Sequence, residues 1–351
     1  MTSYFVLGLM SGTSLDGLDL AYVKITFAYK QWQYQILHTE TLDYSKKWQT
    51  RLKDSILLDK DALLDLDKKY SKYLAEQTKN FLSKNNITAL DLISSHGHTV
   101  KHRPELGYTL QIGNLPEFGN AFNIPVICDF RTQDVALGGQ GAPLVPIGDR
   151  LLFSEYEYCL NLGGFANIST EKNMERIAYD IGAVNIILNH YANELGHEYD
   201  KGGMLADSGQ LDEKLLSKLD SLDYYKQPYP KSLGREWVNE KLFPILNASN
   251  INPKDILHTY TIHIAKKISL SVKKGSRVLV TGGGAYNSFL MHQLQEDIKW
   301  ITPKKEVIEF KEALIFGLLG VLRYRKQDNC LKSYTGASKN HSSGKLYDGS
   351  L

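Results

Sequence analysis

Apolar positions are contiguous over residues 4–9 and alternate with polar ones over residues 18–25. That pattern predicts two strands joined through Ser11-Gly-Thr-Ser14, a hairpin tip of small hydroxyls and glycine. Over residues 61–82 the period changes. Leu63, Leu66, Tyr70, Tyr73, Leu74, Phe81 and Leu82 recur at helical spacing, and Asn85-Asn86 closes the helix. Residues 92–95 read as a short buried strand leading into His96-Gly-His-Thr99, and residues 124–130 as another strand. A loop dense in glycine and proline, Leu137-Gly-Gly-Gln-Gly-Ala-Pro-Leu-Val-Pro146, interrupts regular structure.

The second half repeats the opening order. Residues 156–162 form a strand, Gly163-Gly164 a turn, residues 166–170 a return strand and residues 176–180 a third. Gly12 and Gly163 stand about half the chain apart, and what recurs is the order of elements, not the residues. Helices are predicted over 185–195, 211–222, 234–246 and 255–272, and a last one from about Lys311 to Arg325. Residues 276–281 form a strand ending in Gly282-Gly-Gly284, with Asn287 placed to cap the next helix. The tail after Gln327 is polar and reads as loose at its end. Strands mixed with long helices give an α/β architecture.

At 351 residues the chain exceeds what one core usually serves, so two domains are expected. The boundaries read as an N-terminal lobe of residues 1–135 plus about 326–351, and a C-terminal lobe of residues 136–325. Lysine and arginine number 41 against 39 acids, so no charge field points to nucleic acid or a membrane surface. Cys128, Cys159 and Cys330 are scattered, with neither a disulfide framework nor metal-ligand spacing, which fits a reducing compartment. No basic leader and no apolar run of about 18 residues is present. The expected location is cytoplasmic.

Three glycine turns each follow a strand: Ser11-Gly12-Thr13-Ser14, Gly163-Gly164 and Gly282-Gly283-Gly284. One such turn is an ordinary hairpin. Three, two of them at matching places in two halves, point to a nucleotide held in a cleft between domains, with main-chain N–H groups on its phosphates. Neither a P-loop nor a Gly-x-Gly-x-x-Gly after a strand is present.

At this point the chain resembles a known family. Gly8-Leu-Met-Ser-Gly-Thr-Ser-Leu-Asp-Gly17, Ser95-His-Gly-His-Thr-Val-Lys-His-Arg-Pro104, Gln111-Ile-Gly113, Asp129-Phe-Arg131, residues 134–146, residues 161–167, Lys231-Ser-Leu-Gly-Arg235 and Val280-Thr-Gly-Gly-Gly-Ala-Tyr-Asn287 match, in order and over nearly the whole chain, the motifs of anhydro-N-acetylmuramic acid kinase. The resemblance implies a two-domain actin-like ATPase (sugar kinase) fold with an interdomain cleft. It implies use of ATP and Mg²⁺ to open the 1,6-anhydro ring of an amino-sugar with water and to phosphorylate the freed O6, in cell-wall recycling. It also implies a homodimer. A kinase of the same fold for another sugar or carboxylate, and a non-catalytic nucleotide and sugar sensor, are the competing readings.

That chemistry needs a carboxylate to deprotonate water and dipoles to offset phosphate charge. Asp180 stands where the resemblance puts the catalytic aspartate; the alternative is a cap for the helix near Val184. The family's Asp-Thr-Gly-Pro-Gly-Asn is here Asp180-Ile-Gly-Ala-Val-Asn185, so the phosphate-facing threonine is missing. The nucleotide is assigned to Ser11, Gly12, Thr13, Ser14, Asp16, Gly17, Asp19, Gly163, Gly164, Asn167, Gly282, Gly283 and Gly284. Asp16 either holds Mg²⁺ through water or stabilises its own turn. Asp19 also reads as a solvent-facing strand residue. His96, His98 and His102 fit no zinc motif. The resemblance instead puts His96 and Thr99 at the sugar, with His98 where glutamine is common. Arg131 either grips the substrate carboxylate or pairs with Asp134 or Asp129. Glu312 either suits a helix dipole or contacts a sugar hydroxyl.

Overall fold

The computed structural model describes residues 1–349. The chain divides into two compact units: Met1–Leu152 together with the segment from Phe310 onward, and Phe153–Glu309. The first changeover falls later, and the second earlier, than glycine and proline density placed them. The reason is packing. On the helix Pro146–Leu152, a Cβ at Gly148 would lie 2.5 Å from Ile315, and buried Lys311 pairs with buried Asp149 at 2.9 Å. Breaker residues mark where regular structure stops, and domain membership follows the contacts.

The first unit holds a seven-stranded sheet. Its strands are β1 (Thr2–Ser11), β2 (Gly17–Ala28), β3 (Gln31–Asp43), β4 (Leu92–Arg103), β5 (Tyr108–Ile112), β6 (Val126–Cys128) and β12 (Lys345–Tyr347). The order is β12-β6-β4-β1-β2-β3, with β5 also paired to β4. β1, β2 and β3 form an antiparallel meander, and β4 and β6 run parallel to β1 and to each other. The helix Lys60–Lys84 covers one face. Asp59 caps it by accepting from Ala62 N, and it buries Leu63, Leu66, Tyr70, Leu74 and Phe81. On another side the helix Lys305–Tyr324 lies so close to β1 that a Cβ on Gly8 would overlap the carbonyl of Ala313.

Three features depart from the sequence reading. β3 is absent from the sequence reading: Gln31-Trp-Gln-Tyr-Gln-Ile36 does alternate, but a bulge at Leu37 breaks the period and no position of this edge strand is fully buried. β4 does not stop at Ser95. Gly97 takes φ +72°, the pairing with β1 shifts there, and the strand continues with both His96 and His98 buried. The tail is ordered as far as it is described. β12 pairs with β6, and the Ser343 hydroxyl donates to Phe130 O.

The second unit carries β7 (Tyr158–Leu162), β8 (Phe165–Lys172), β9 (Glu175–Ala183), β10 (Arg277–Thr281) and β11 (Lys299–Ile301) in the order β11-β10-β7-β8-β9. Here too an antiparallel meander is extended by parallel strands. The recurrence of elements read along the chain is therefore a recurrence of topology. The helices Asn185–Glu194 and Pro253–Leu270 pack on this sheet around Ile187, Leu188, Leu257, Tyr260 and Ile264. Among the described residues no helix is long and apolar enough to cross a membrane.

Candidate functional site

In the second unit, two of the glycine turns come together. Gly282 has φ +83°, and a Cβ there would lie 2.6 Å from Asn161 Oδ1 and 2.8 Å from the Leu162 main chain. Only glycine allows this approach of the β10 end to the β7 end. Gly283 differs: it is exposed, and a Cβ there would meet nothing nearer than Asn185 Nδ2 at 3.9 Å. Gly283–Tyr286 is a 3-10 turn, whose first N–H groups have no partner within the turn. Asn287 then caps the helix Ser288–His292 by accepting from Leu290 N, as its position predicts. The Gly163-Gly164 turn also serves the fold. The carbonyls of Gly163 and Gly164 accept from Asn185, Val184 and Ile186, so they cap the helix Asn185–Glu194.

Asp180 sits inside β9, not at its end. It pairs across the sheet with exposed Asn167, and a register shift beside this pair leaves Ile181 as the extra residue. Ile181 is buried in the apolar core, so the residue replacing the family's threonine faces away from solvent. Asp180 does not cap the neighbouring helix. Its Oδ2 accepts from Leu233 N at 2.9 Å, its main-chain N–H donates to Lys231 O, and its carbonyl accepts from Tyr224 Oη at 2.7 Å. Oδ1 has no hydrogen bond among the described residues and is not sealed from solvent. Burial pushes this carboxyl above the usual aspartate range, and the Leu233 N–H offsets part of that rise. One oxygen is fixed and the other is free to take a proton. Lys231-Ser-Leu-Gly-Arg235 supplies that fixing contact through its main chain. Main-chain donors leave no signature in a residue string.

In the first unit, the hairpin tip splits in two. Ser11 is turned inward. Its hydroxyl receives from Tyr44 Oη at 2.7 Å and lies 2.9 Å from His98 Nδ1, and the Tyr44 and Tyr70 hydroxyls are 2.6 Å apart. With Tyr44 donating to Ser11, Tyr70 donates to Tyr44, and the Ser11 hydroxyl in turn meets Nδ1 of His98. Burial holds its pKa down at about 4. Gly12 is half-buried, while Thr13, Ser14 and Asp16 are exposed at the tip. The Asp16 carboxylate carries no side-chain hydrogen bond or ion pair among the described residues, which suits a hard cation held through water. Gly17 packs under Leu42, and Asp19 accepts from Thr41 Oγ1 across the sheet.

The residues assigned to the sugar also lie in this unit. His96 Nε2 receives from Arg131 Nε at 3.0 Å, so Nδ1 carries the proton and meets Gly97 O at 3.0 Å. Burial, then the Arg131 charge, holds His96 well below its usual range. Arg131 Nη1 also donates to Gly141 O at 2.6 Å. Asp129 accepts instead from Thr132 and Asp134 from Gly141, so neither pairs with the guanidinium. Nη2 and the second Nη1 hydrogen remain for an anion. Glu312 does not open its helix, which starts at Lys305. It follows the non-helical Phe310 (φ −114°, ψ 15°) and keeps an exposed side chain. Desolvation raises its pKa against the pull of Arg131 and Lys311. Thr99 is half-buried opposite Gln111 on β5, with Gln111 Nε2 at 3.5 Å.

A family model described as anhydro-N-acetylmuramic acid kinase matches residues 4–349. The anhydro-N-acetylmuramic acid kinase of Aliivibrio fischeri is 34% identical over 368 aligned residues, covering 97% of this chain and 98% of that protein. That of Shewanella oneidensis is 38% identical over 310 aligned residues, covering 84% of each. Among solved structures, the activator of 2-hydroxyisocaproyl-CoA dehydratase from Clostridium difficile aligns over 90% of this chain and 94% of its own, at 14% identity and a TM-score of 0.45. The antiparallel meander extended by parallel strands recurs in both units, an α/β plan. With its motifs matched from end to end, the chain belongs to the anhydro-N-acetylmuramic acid kinase family.

Proposed function

We propose that this chain uses ATP and water to open the anhydro ring of 1,6-anhydro-N-acetylmuramic acid and to phosphorylate O6, giving N-acetylmuramic acid 6-phosphate and ADP. The supporting observation is Asp180, with Oδ2 held by Leu233 N–H and Oδ1 free. Oδ1 takes a proton from water as the water oxygen bonds to the anomeric carbon. The C1–O6 bond breaks, O6 bonds to the γ-phosphorus, and the bond from that phosphorus to ADP breaks. The proton on Asp180 then passes to solvent. The raised pKa makes Asp180 a stronger base than a free aspartate.

Gly282, Gly283 and Gly284, with Gly163, Gly164 and Asn167, hold the nucleotide in the second unit. In the first unit, main-chain N–H groups of Gly12, Thr13, Ser14 and Gly17 serve phosphate oxygens, and Ser11 and Asp19 brace that turn. When bound, Mg²⁺ neutralises phosphate charge; Asp16 would hold it through water. His96, Thr99, Arg131 and Glu312 orient the sugar, with the remaining Arg131 hydrogens toward its carboxylate. The chain works as a homodimer in the cytoplasm.

The test is Asp180→Asn. Phosphosugar formation falls by roughly 10²-fold or more, as for loss of a general base, while the affinity for ATP stays within a few-fold. Turnover near that of the unaltered protein would remove Asp180 from the reaction.

A further inference from the structure

The tail of the first unit folds back as an antiparallel bridge. Cys330 N–H donates to His341 O at 3.1 Å, and His341 N–H donates to Cys330 O at 3.0 Å. The two side chains of such a directly opposed pair stand on one face. That face meets Asp134, on the short helix Thr132–Ala136 just before the glycine-rich loop. Cys330 Sγ, a His341 ring nitrogen and an Asp134 carboxylate oxygen all lie within 4.8 Å of one another, and the three residues are 1%, 4% and 0% exposed.

The spacing is wrong for a hydrogen bond and right for a shared ion. His341 Nε2 lies 3.5 Å from Asp134 Oδ1, beyond the roughly 2.7–3.2 Å of a good N–H···O bond. Two ligands each about 2.0–2.1 Å from a tetrahedral zinc stand roughly 3.4 Å apart. Both atoms are sealed from solvent and neither has a hydrogen-bond partner among the described residues. The other carboxylate oxygen, Oδ2, accepts a single main-chain bond, from Gly141 at 2.7 Å. Cys330 hydrogen-bonds the Asp134 carboxyl and His341 Nδ1 lies 3.3 Å from Lys339 O, so among the described residues the facing Oδ1 and Nε2 are the atoms of the cluster left to a shared ligand.

We propose that Asp134, Cys330 and His341 form a binding site for a zinc-class divalent cation. Thiolate, imidazole and carboxylate are donors that such an ion takes, and with three of them the fourth tetrahedral position is left to water. The ion ties the tail to the loop that supplies Gly141 O to Arg131. Gln140 N–H donating to Thr335 O and Ser338 N–H donating to Leu137 O already join the same two segments. Binding exchanges the thiol proton for the cation, and that proton is released to buffer.

Purified full-length protein is treated with chelator, then titrated with Zn²⁺ or Co²⁺ alone. One equivalent is bound per chain, Co²⁺ gives a near-ultraviolet thiolate charge-transfer band, and Zn²⁺ raises the melting temperature by several degrees. Cys330→Val, close in volume, and His341→Gln each abolish the stoichiometric uptake and the melting shift. If either variant fails to fold, the cobalt spectrum of the unaltered protein decides. Absence of the thiolate band, sub-stoichiometric uptake, or equal uptake by a folded variant would overturn the site.

Discussion

Asp180 and His98 show opposite uses of burial at the level of single residues. Burial raises the Asp180 pKa, so its basic form appears at higher pH than for a free aspartate, about 3.9. We therefore expect kcat/KM to rise with pH along an acid limb shifted above that value. A pH profile with its acid limb at or below the free value would contradict the assignment. His98 is held at about 4 against an ordinary 6.5. The unfolded chain binds a proton between those values and the folded chain does not. The contribution is thus fully present above pH 6.5 and lost as pH falls through 4, roughly 3 kcal/mol in all. Asp67, raised to about 6, acts the other way: its contribution is present below the free value and lost as pH rises through 6. The comparison is therefore made between proteins. In His98→Gln, the loss of stability from pH 7 to pH 4, read by urea melts, should shrink by about that amount. Equal losses would mean that His98 is not held neutral. The residue string exposed Asp180 through its motif. It did not expose Leu233 or Tyr44, because a main-chain N–H and a core tyrosine look the same wherever they act.

Individual elements separate what glycine does for folding from what it does for binding. Gly282 needs its positive φ and its closeness to Asn161. Gly282→Ala should cost on the order of a few kcal/mol and lower the melting temperature. Gly283 has open space beside it, so Gly283→Ala should fold normally and raise KM for ATP severalfold. A Gly283→Ala protein with unchanged KM would place the nucleotide elsewhere. At this scale the hairpins, the long helices and the Asn287 cap were legible, because each has a period or a capping residue. β3 was not, although Gln31-Trp-Gln-Tyr-Gln-Ile36 alternates, because a bulge at Leu37 breaks the period and no position on this edge strand is fully buried. Nor was the continuation of β4 past Gly97, where one left-handed residue keeps the strand going.

For the molecule as a whole, the recurring order of strands was readable and the order of the tail was not. Few apolar residues mark the tail; it is held by polar contacts. Asn329 Nδ2 donates to Leu319 O and Ser343 O, Arg323 Nε donates to Gly344 O, and Tyr347 Oη donates to Asn114 O. Removing residues 328–351 should therefore destabilise the first unit by several kcal/mol and leave little soluble protein. A truncated protein that melts like the full chain would show that these bonds contribute nothing net. The chemistry proposed for the site is ring opening by water coupled to phosphoryl transfer. Mass spectrometry of the anhydro-sugar incubated with enzyme, ATP, Mg²⁺ and ¹⁸O-labelled water tests this most directly. The account predicts a product with one labelled oxygen at the anomeric carbon and one phosphate on O6. A phosphorylated sugar with its bicyclic ring intact and no label, or no phosphosugar at all, would contradict it.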